Sequence, residues 1–159
     1  MSEQKKSMTV VGGGPGGYTA AFAAAKAGMA VTLVECAELG GTCLNNGCIP
    51  TKTIKSSAEA LETAHQAVQF GVKIEGGVSI DAQAVFDRKE RVCATLRSGL
   101  EKTCAALGVT LLRGKGKLLG AGLVEVTSNG TASTVSSDFV ILATGSHPVS
   151  RPGLAAEGK

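Results

Sequence analysis

Apolar residues follow two different periods along the chain, and the places where the period changes mark its elements. Residues 8–11 (Met-Thr-Val-Val) form a short apolar run of the length expected for a buried strand. A glycine-rich turn follows, and residues 16–27 have the small, alanine-rich composition of a helix closed by Gly28, a residue suited to the position just past a helix end. Residues 30–34 make a second apolar run that closes at Glu35. Strand, turn, helix and strand in roughly 30 residues predict a βαβ unit with a parallel pair and a right-handed crossover.

After a loop at 36–41, residues 42–69 read as mostly helical with a bend near Pro50, and 71–81, which contains Gly76 and Gly77, as a connection. The longest periodic stretch is 82–107, where Val85, Val92, Leu96, Leu100 and Leu107 recur at spacings of four and seven. That pattern predicts an amphipathic helix with Arg88, Lys89, Arg91, Arg97, Glu101 and Lys102 largely outside its apolar stripe. From Val109 the period shortens to that of strands, at 109–113, 117–119, 123–128 and 131–135, with Asn129-Gly130 a two-residue hairpin signal. Residues 139–143 are a last buried strand leading into Thr144-Gly145-Ser146. The expected class is α/β: a parallel sheet, long helices and a β-meander.

Composition narrows the partners. The chain of 159 residues is 43% hydrophobic and holds 22 glycines without a Gly-X-Y period, which points to tight turns and close backbone approaches. It has no Trp, one Tyr and four Phe, leaving no aromatic platform for bases. Net charge is +3, and glycines separate the charges of Arg113-Gly114-Lys115-Gly116-Lys117, so no dense basic patch argues for nucleic acid. The apolar stretch 8–34 is broken by glycines and Lys26, and the N-terminus lacks the apolar core of a signal peptide; no membrane span and a cytoplasmic location are expected. Cysteines stand at 36, 43, 48, 93 and 104, an odd count that argues against a fully paired secreted framework. Cys93 and Cys104, eleven apart on the long helix, read as core residues, and Cys36 as a loop residue.

Two motifs carry chemistry. Gly12, Gly14 and Gly17 form G-x-G-x-x-G between a strand and a helix. In that setting the first glycine permits the tight turn, the second lets the backbone approach a pyrophosphate, and the third lets helix and sheet pack closely. The helix N-terminus adds unpaired N–H groups and partial positive charge. Glu35 lies 21 residues beyond Gly14, the spacing that sets a carboxylate beside ribose hydroxyls. The motif fits FAD and NAD equally.

The second motif is Gly40-Gly41-Thr42-Cys43-Leu44-Asn45-Asn46-Gly47-Cys48-Ile49-Pro50-Thr51-Lys52. Two cysteines five apart can close a disulfide over little more than a turn if the helix start is irregular, as Gly47 and Pro50 allow. So small a ring constrains the unfolded chain little, which makes a poor staple and suits a redox centre. A helix start and a nearby Lys52 both favour the reactive thiolate. A structural disulfide, two ordinary buried cysteines, or a zinc site drawing on His65 or His147 are the competing readings.

This stretch resembles the redox-active disulfide signature of the pyridine nucleotide–disulfide oxidoreductases, the family of glutathione reductase, mercuric reductase and dihydrolipoamide dehydrogenase. Leu44-Asn45 and Ile49-Pro50-Thr51-Lys52 are most similar to the dihydrolipoamide dehydrogenase branch, while Asn46 stands where relatives more often carry Val. The resemblance spans the chain, from the glycine motif through Glu35 to Ile141-Leu142-Ala143-Thr144-Gly145-Ser146. It implies a Rossmann-like FAD-binding domain over residues 1–159, with FAD as cofactor and NAD as co-substrate. Gly12, Gly14, Pro15 and Gly17 would hold the pyrophosphate end, Glu35 the adenosine ribose, and the backbone at Gly116 the adenine. Gly41, Thr42, Cys43 and Lys52 would line the flavin, Lys52 near its N5 edge, and Thr144, Gly145 and Ser146 would close over the cofactor. Cys43 would be the interchange thiol meeting a dihydrolipoyl dithiol, and Cys48 the thiolate against the flavin. No metal is implied.

Relatives are roughly three times as long. Neither a second G-x-G-x-x-G nor a C-terminal interface domain is present, so the expected NAD-binding and dimer-forming parts are missing. The expectation is a truncated or excised portion of an enzyme whose full-length relatives are homodimers in 2-oxo acid dehydrogenase-type complexes. Alone it is expected to bind FAD weakly, without NAD-linked turnover. A stand-alone FAD-binding or redox-sensing module, or a glutathione- or mercuric-reductase-type portion, is the alternative.

Overall fold

The computed structural model describes residues 5–147, so the ends of the expected 1–159 domain lie outside the described residues. In chain order the elements are β1 (Ser7–Val11), α1 (Pro15–Lys26), β2 (Ala30–Glu35), α2 (Gly41–Asn45), α3 (Cys48–Gln66) with a terminal 3-10 turn (Ala67–Phe70), and α4 (Ala82–Ala106). Then come β3 (Thr110–Arg113), β4 (Lys115–Gly120), β5 (Leu123–Ser128), β6 (Thr131–Ser136) and β7 (Phe139–Leu142). The expected α/β class and most of the element order are borne out.

Three layers result. Strands β3-β2-β1-β7 form a parallel sheet, registered so that Val10 lies beside Leu33 and Ile141, and Val11 beside Val34 and Leu142. Because successive side chains alternate faces, Val10 and Val11 serve different cores. Val10, Leu33 and Val31 pack with Ala21 and Ala24 of α1 and Cys104 of α4. Val11 and Val34 instead meet Val124 and Val126 of the antiparallel β4-β5-β6 meander. Each such fully buried Val or Leu contributes about 1.5–3 kcal/mol. Gly116 lets the meander come close, since a Cβ there would stand 2.6 Å from Val11 Cγ1. Both central residues of the β5–β6 hairpin, Asn129 (φ 48°) and Gly130 (φ 79°), are left-handed, as a type I′ turn requires.

Several boundaries depart from expectation. Helix α1 starts at Pro15, whose missing N–H costs nothing in a first turn. The break in the segment 42–69 falls at Asn46-Gly47 rather than Pro50. Pro50 sits in the first turn of α3, where its N–H would have no helical partner anyway. Strand β4 is longer than 117–119, β3 begins at Thr110, and β7 stops before Ala143. On α4, Leu96 is 42% exposed, whereas Lys89 and Arg97, expected outside the stripe, are partly buried. Cys93 and Cys104 are buried in the core, as expected.

β1 and β7 are also clamped at their starts. Asp138 Oδ2 accepts from Ser7 N–H and Ser7 Oγ, both at 2.8 Å, while Asp138 N–H donates to Ser7 Oγ at 3.0 Å and Lys6 Nζ to Oδ1 at 3.2 Å. The Ser7 backbone N–H, then its hydroxyl and Lys6, lower the Asp138 pKa to about 2. A carboxylate depressed in the fold stabilises it above the unfolded pKa of about 4, and that contribution is lost as pH falls toward about 2. In acid titrations followed by circular dichroism, Asp138→Asn is expected to be less stable than the native chain at pH 6, the two converging below about pH 2.

Candidate functional site

The carboxyl ends of β1, β2 and β7 meet at one end of the parallel sheet, where the strand order departs from β1 in opposite directions; ligands in open α/β sheets bind at such a switch point. The glycine turn lies there. A Cβ on Gly17 would fall 1.7 Å from the Gly12 carbonyl oxygen, and one on Gly12 (φ 105°) 2.2 Å from the Ala143 oxygen. These two glycines are demanded by the fold. Gly14 differs: a Cβ there would meet only Gly41 Cα, at an ordinary contact distance of 3.8 Å, so a side chain could be accommodated. The cradle at Gly14 is open at the N-terminus of α1, as a pyrophosphate would need.

Glu35, buried at the end of β2, receives Gly13 N–H on Oε2 at 2.6 Å and Ala37 N–H on Oε1 at 2.7 Å. Its carboxylate thus holds the glycine turn and the loop after β2. The Glu35 carbonyl accepts from Gly114 N–H at 2.9 Å, bringing Gly116 alongside the ends of β1 and β2. The Thr144 backbone lies against Gly12, and Thr144, Gly145 and Ser146 are exposed.

The cysteine segment is built onto this turn. Gly40 N–H donates to the Gly13 oxygen at 2.8 Å, and a Cβ on Gly41 would lie 2.8 Å from Gly14 Cα. Backbone therefore rests on backbone between the two motifs. Helix α2 carries Cys43 and stops at Asn46; α3 then begins at Cys48. Gly47 makes the reversal tight, since a Cβ there would stand 3.1 Å from the Thr42 oxygen.

Cys43 and Cys48 are thiols here, the first half-buried and the second exposed, so neither is an ordinary core cysteine. The Cys43 pKa is raised above the ordinary cysteine value, first by the hydrogen bond between its thiol and that of Cys48, then by burial and by negative charge on Cys48. The Cys48 backbone N–H and the Lys52 ammonium oppose this and are outweighed. The expected lowering by Lys52 is therefore present but does not set the balance at Cys43. Thr42 on α2 and Lys52 on α3, one on each side of the break, are both exposed. A largely apolar cavity of about 240 Å³ is lined by Pro15, Tyr18, Cys43, Ile49, Leu96 and Leu100.

The structure thus brings Gly12, Gly14, Pro15, Gly17, Glu35, Gly41, Cys43 and the Thr144 backbone to one sheet end, with Gly116 behind them. His65 and His147 are exposed surface residues. Sequence reasoning missed Gly13, whose N–H binds Glu35 and whose Cβ would strike Leu39 Cδ2 at 2.6 Å. It also missed the roles of Asn45 and Arg97; Asn45 stood inside the motif, but a partner 52 residues away leaves no local signal. Among the described residues no helix is long and apolar enough to cross a membrane.

Comparison with known proteins agrees with this geometry. The chain is 43% identical over 91% of its length to a dihydrolipoyl dehydrogenase of Chlamydia muridarum, of which it covers 31%. It is 39% identical to a mitochondrial dihydrolipoyl dehydrogenase of Dictyostelium discoideum, over 96% of this chain and 32% of that protein. The chain thus spans about a third of the length of the curated relatives it matches. Among solved structures it is similar to a Cu(II) complex of the HOCl-induced flavoprotein disulfide reductase RclA from Escherichia coli, with 26% identity, a TM-score of 0.72 and coverage of 94% of this chain and 31% of that one. The family model for pyridine nucleotide-disulphide oxidoreductases matches residues 6–159, and the chain belongs to that family.

Proposed function

We propose that residues 1–159 form the FAD-binding portion of a disulfide oxidoreductase of the dihydrolipoyl dehydrogenase type, with Cys43 and Cys48 as its redox pair. The observation that carries this reading is the backbone contact of Gly41 on Gly14, which fixes a cysteine pair beside an open dinucleotide cradle. The Gly14 backbone and the α1 N-terminus would hold the pyrophosphate, Glu35 the ribose, and Thr42, Lys52 and the 144–146 segment the rest of the cofactor. Bound FAD would supply the two-electron acceptor that links the dithiol to NAD+.

The chain's own residues carry the exchange. A thiolate of the dithiol substrate attacks the Cys43 sulfur of the disulfide and Cys48 leaves as thiolate. The second substrate sulfur then displaces Cys43, giving a cyclic substrate disulfide and two protein thiols. Cys43, which lines the apolar cavity, takes the interchange role, and Cys48, at the start of the 19-residue α3, that of the leaving thiolate. Lipoyl dithiol is the substrate we favour, because the apolar cavity beside Cys43 fits an aliphatic carrier and the relatives described above are dihydrolipoyl dehydrogenases. On the same ground we propose homodimeric assembly in 2-oxo acid dehydrogenase-type complexes, and separately a cytoplasmic location. A redox-sensing module working alone would cover its sheet edge, whereas β7 is an edge strand among the described residues with Phe139 51% and Leu142 57% exposed.

Absorbance spectra of the purified protein with FAD, before and after dithiol, test the proposal. Flavin bands that gain a long-wavelength charge-transfer shoulder are expected; bound flavin unmoved by dithiol would sink it. Gly14→Ala should keep the native circular dichroism but weaken flavin binding about tenfold or more, as expected when one or two phosphate hydrogen bonds are lost. In the reduced chain, alkylation of Cys43 mapped by mass spectrometry should rise with a midpoint above that of free cysteine. Cys48→Ala removes the main raising influence and leaves Lys52, so the midpoint should move down.

A further inference from the structure

The carboxamide of Asn45, at the end of α2, stands between two elements distant in sequence. Its Nδ2 donates to the Gly41 oxygen at 3.0 Å and the Leu39 oxygen at 3.1 Å, with a longer contact to the Glu38 oxygen at 3.4 Å. Its Oδ1 accepts from Arg97 Nη1 of α4 at 3.0 Å. The orientation is unambiguous, since a guanidinium only donates and the carbonyls only accept. Arg97 Nε also lies 3.9 Å from Glu38 Oε2, and the Arg97 side chain is mostly buried. The loop that Asn45 gathers is the one whose Gly40 and Gly41 rest on the glycine turn.

We infer that Asn45 and Arg97 are positioning residues for the redox pair: α4, through Arg97 and the Asn45 carboxamide, sets the orientation of α2 and so the approach of Cys43 to Cys48. This rests on the reading of Cys43–Cys48 as a redox couple. Neither residue is among the groups that shift the Cys43 pKa, so the action is on geometry rather than on charge. Alternatives on this face are weaker. Arg88 also reaches from α4, donating to the Thr53 oxygen at 2.8 Å and Ser56 Oγ at 3.0 Å, but it ties down α3 beyond the cysteines.

The test is the dithiol–disulfide equilibrium of the whole chain in glutathione buffers, read by alkylation and mass mapping of Cys43 and Cys48. Closure transfers two electrons from the two thiols to one oxidised glutathione, leaving the protein disulfide and two reduced glutathiones that carry the two protons. Asn45→Asp keeps the Arg97 bond but sets an oxygen against the carbonyls that now accept from Nδ2, and Arg97→Met removes the charged donor; each should shift the equilibrium about tenfold toward the dithiol, the size of effect expected when one or two such hydrogen bonds are lost. Arg97→Lys should recover part of that loss, and Arg88→Met should leave the equilibrium unchanged. Alkylation of buried Cys93 and Cys104 reports folding in every variant. An equilibrium within twofold of the native chain in both Asn45→Asp and Arg97→Met would overturn the inference, as would a loss seen only together with exposure of Cys93 and Cys104. If the native pair does not close at all, the redox reading itself fails.

Discussion

The architecture of the site depends on one contact between two stretches of main chain. Gly41 lies on Gly14 with no side chain between them, and Gly40 N–H is bonded to the Gly13 oxygen. Main-chain contact of this kind cannot be adjusted by rotamer changes, because neither partner has a side chain to move. It locks the start of α2 to the turn ahead of α1, and α1 is itself pressed on the sheet through the Gly17–Gly12 approach. The cysteine segment therefore inherits the rigidity of the parallel sheet, although the segment itself belongs to a short helix and a reversal. Precision at a reactive pair is best drawn from rigid elements, and here the rigidity passes through glycines.

Around that contact, charge is used sparingly. Glu35 is the charged residue buried at the glycine turn, and both of its oxygens are occupied by backbone N–H groups. At the cysteine pair the neighbour dominates over the cation: Cys48 acts on Cys43 more strongly than Lys52 does. Two sulfurs in hydrogen-bond contact release their protons as a coupled unit. The exposure of Lys52 to solvent screens it, which is the physical reason its sequence position overstated its effect.

Much of the fold was legible because its signals are local. The βαβ unit, the long α4 and the Asn129-Gly130 hairpin each follow from periodicity or from a turn that only certain residues make. Pro50 suggests a bend that falls elsewhere, because proline breaks helices in general but not in their first turn, whereas Gly47 breaks this one through a crowding visible only in three dimensions. Spacing alone puts Leu96 in the core stripe, yet it lines the same cavity as Cys43. The motif residues of the candidate site could be named from the sequence. Their supports could not: Arg97 had the look of a solvated charge, and nothing near it in the chain announces Asn45. Gly13 was hidden by standing among other glycines.

The parallel sheet also has an order of assembly written into it. β1 finds β2 within a few tens of residues, but its other neighbour, β7, arrives far later: the clamp joining them spans 131 positions, from Ser7 to Asp138. Contacts of such range form slowly, and during synthesis they cannot form at all until the late segment has left the ribosome. The wall that Ala143 and Thr144 place against Gly12 is therefore among the last parts of the turn to exist. Until β7 emerges, the nascent chain would display a glycine turn and a thiol pair with one side missing. Any dinucleotide that met the turn before β7 docks would find a half-built cradle, so a complete site would have to await that strand.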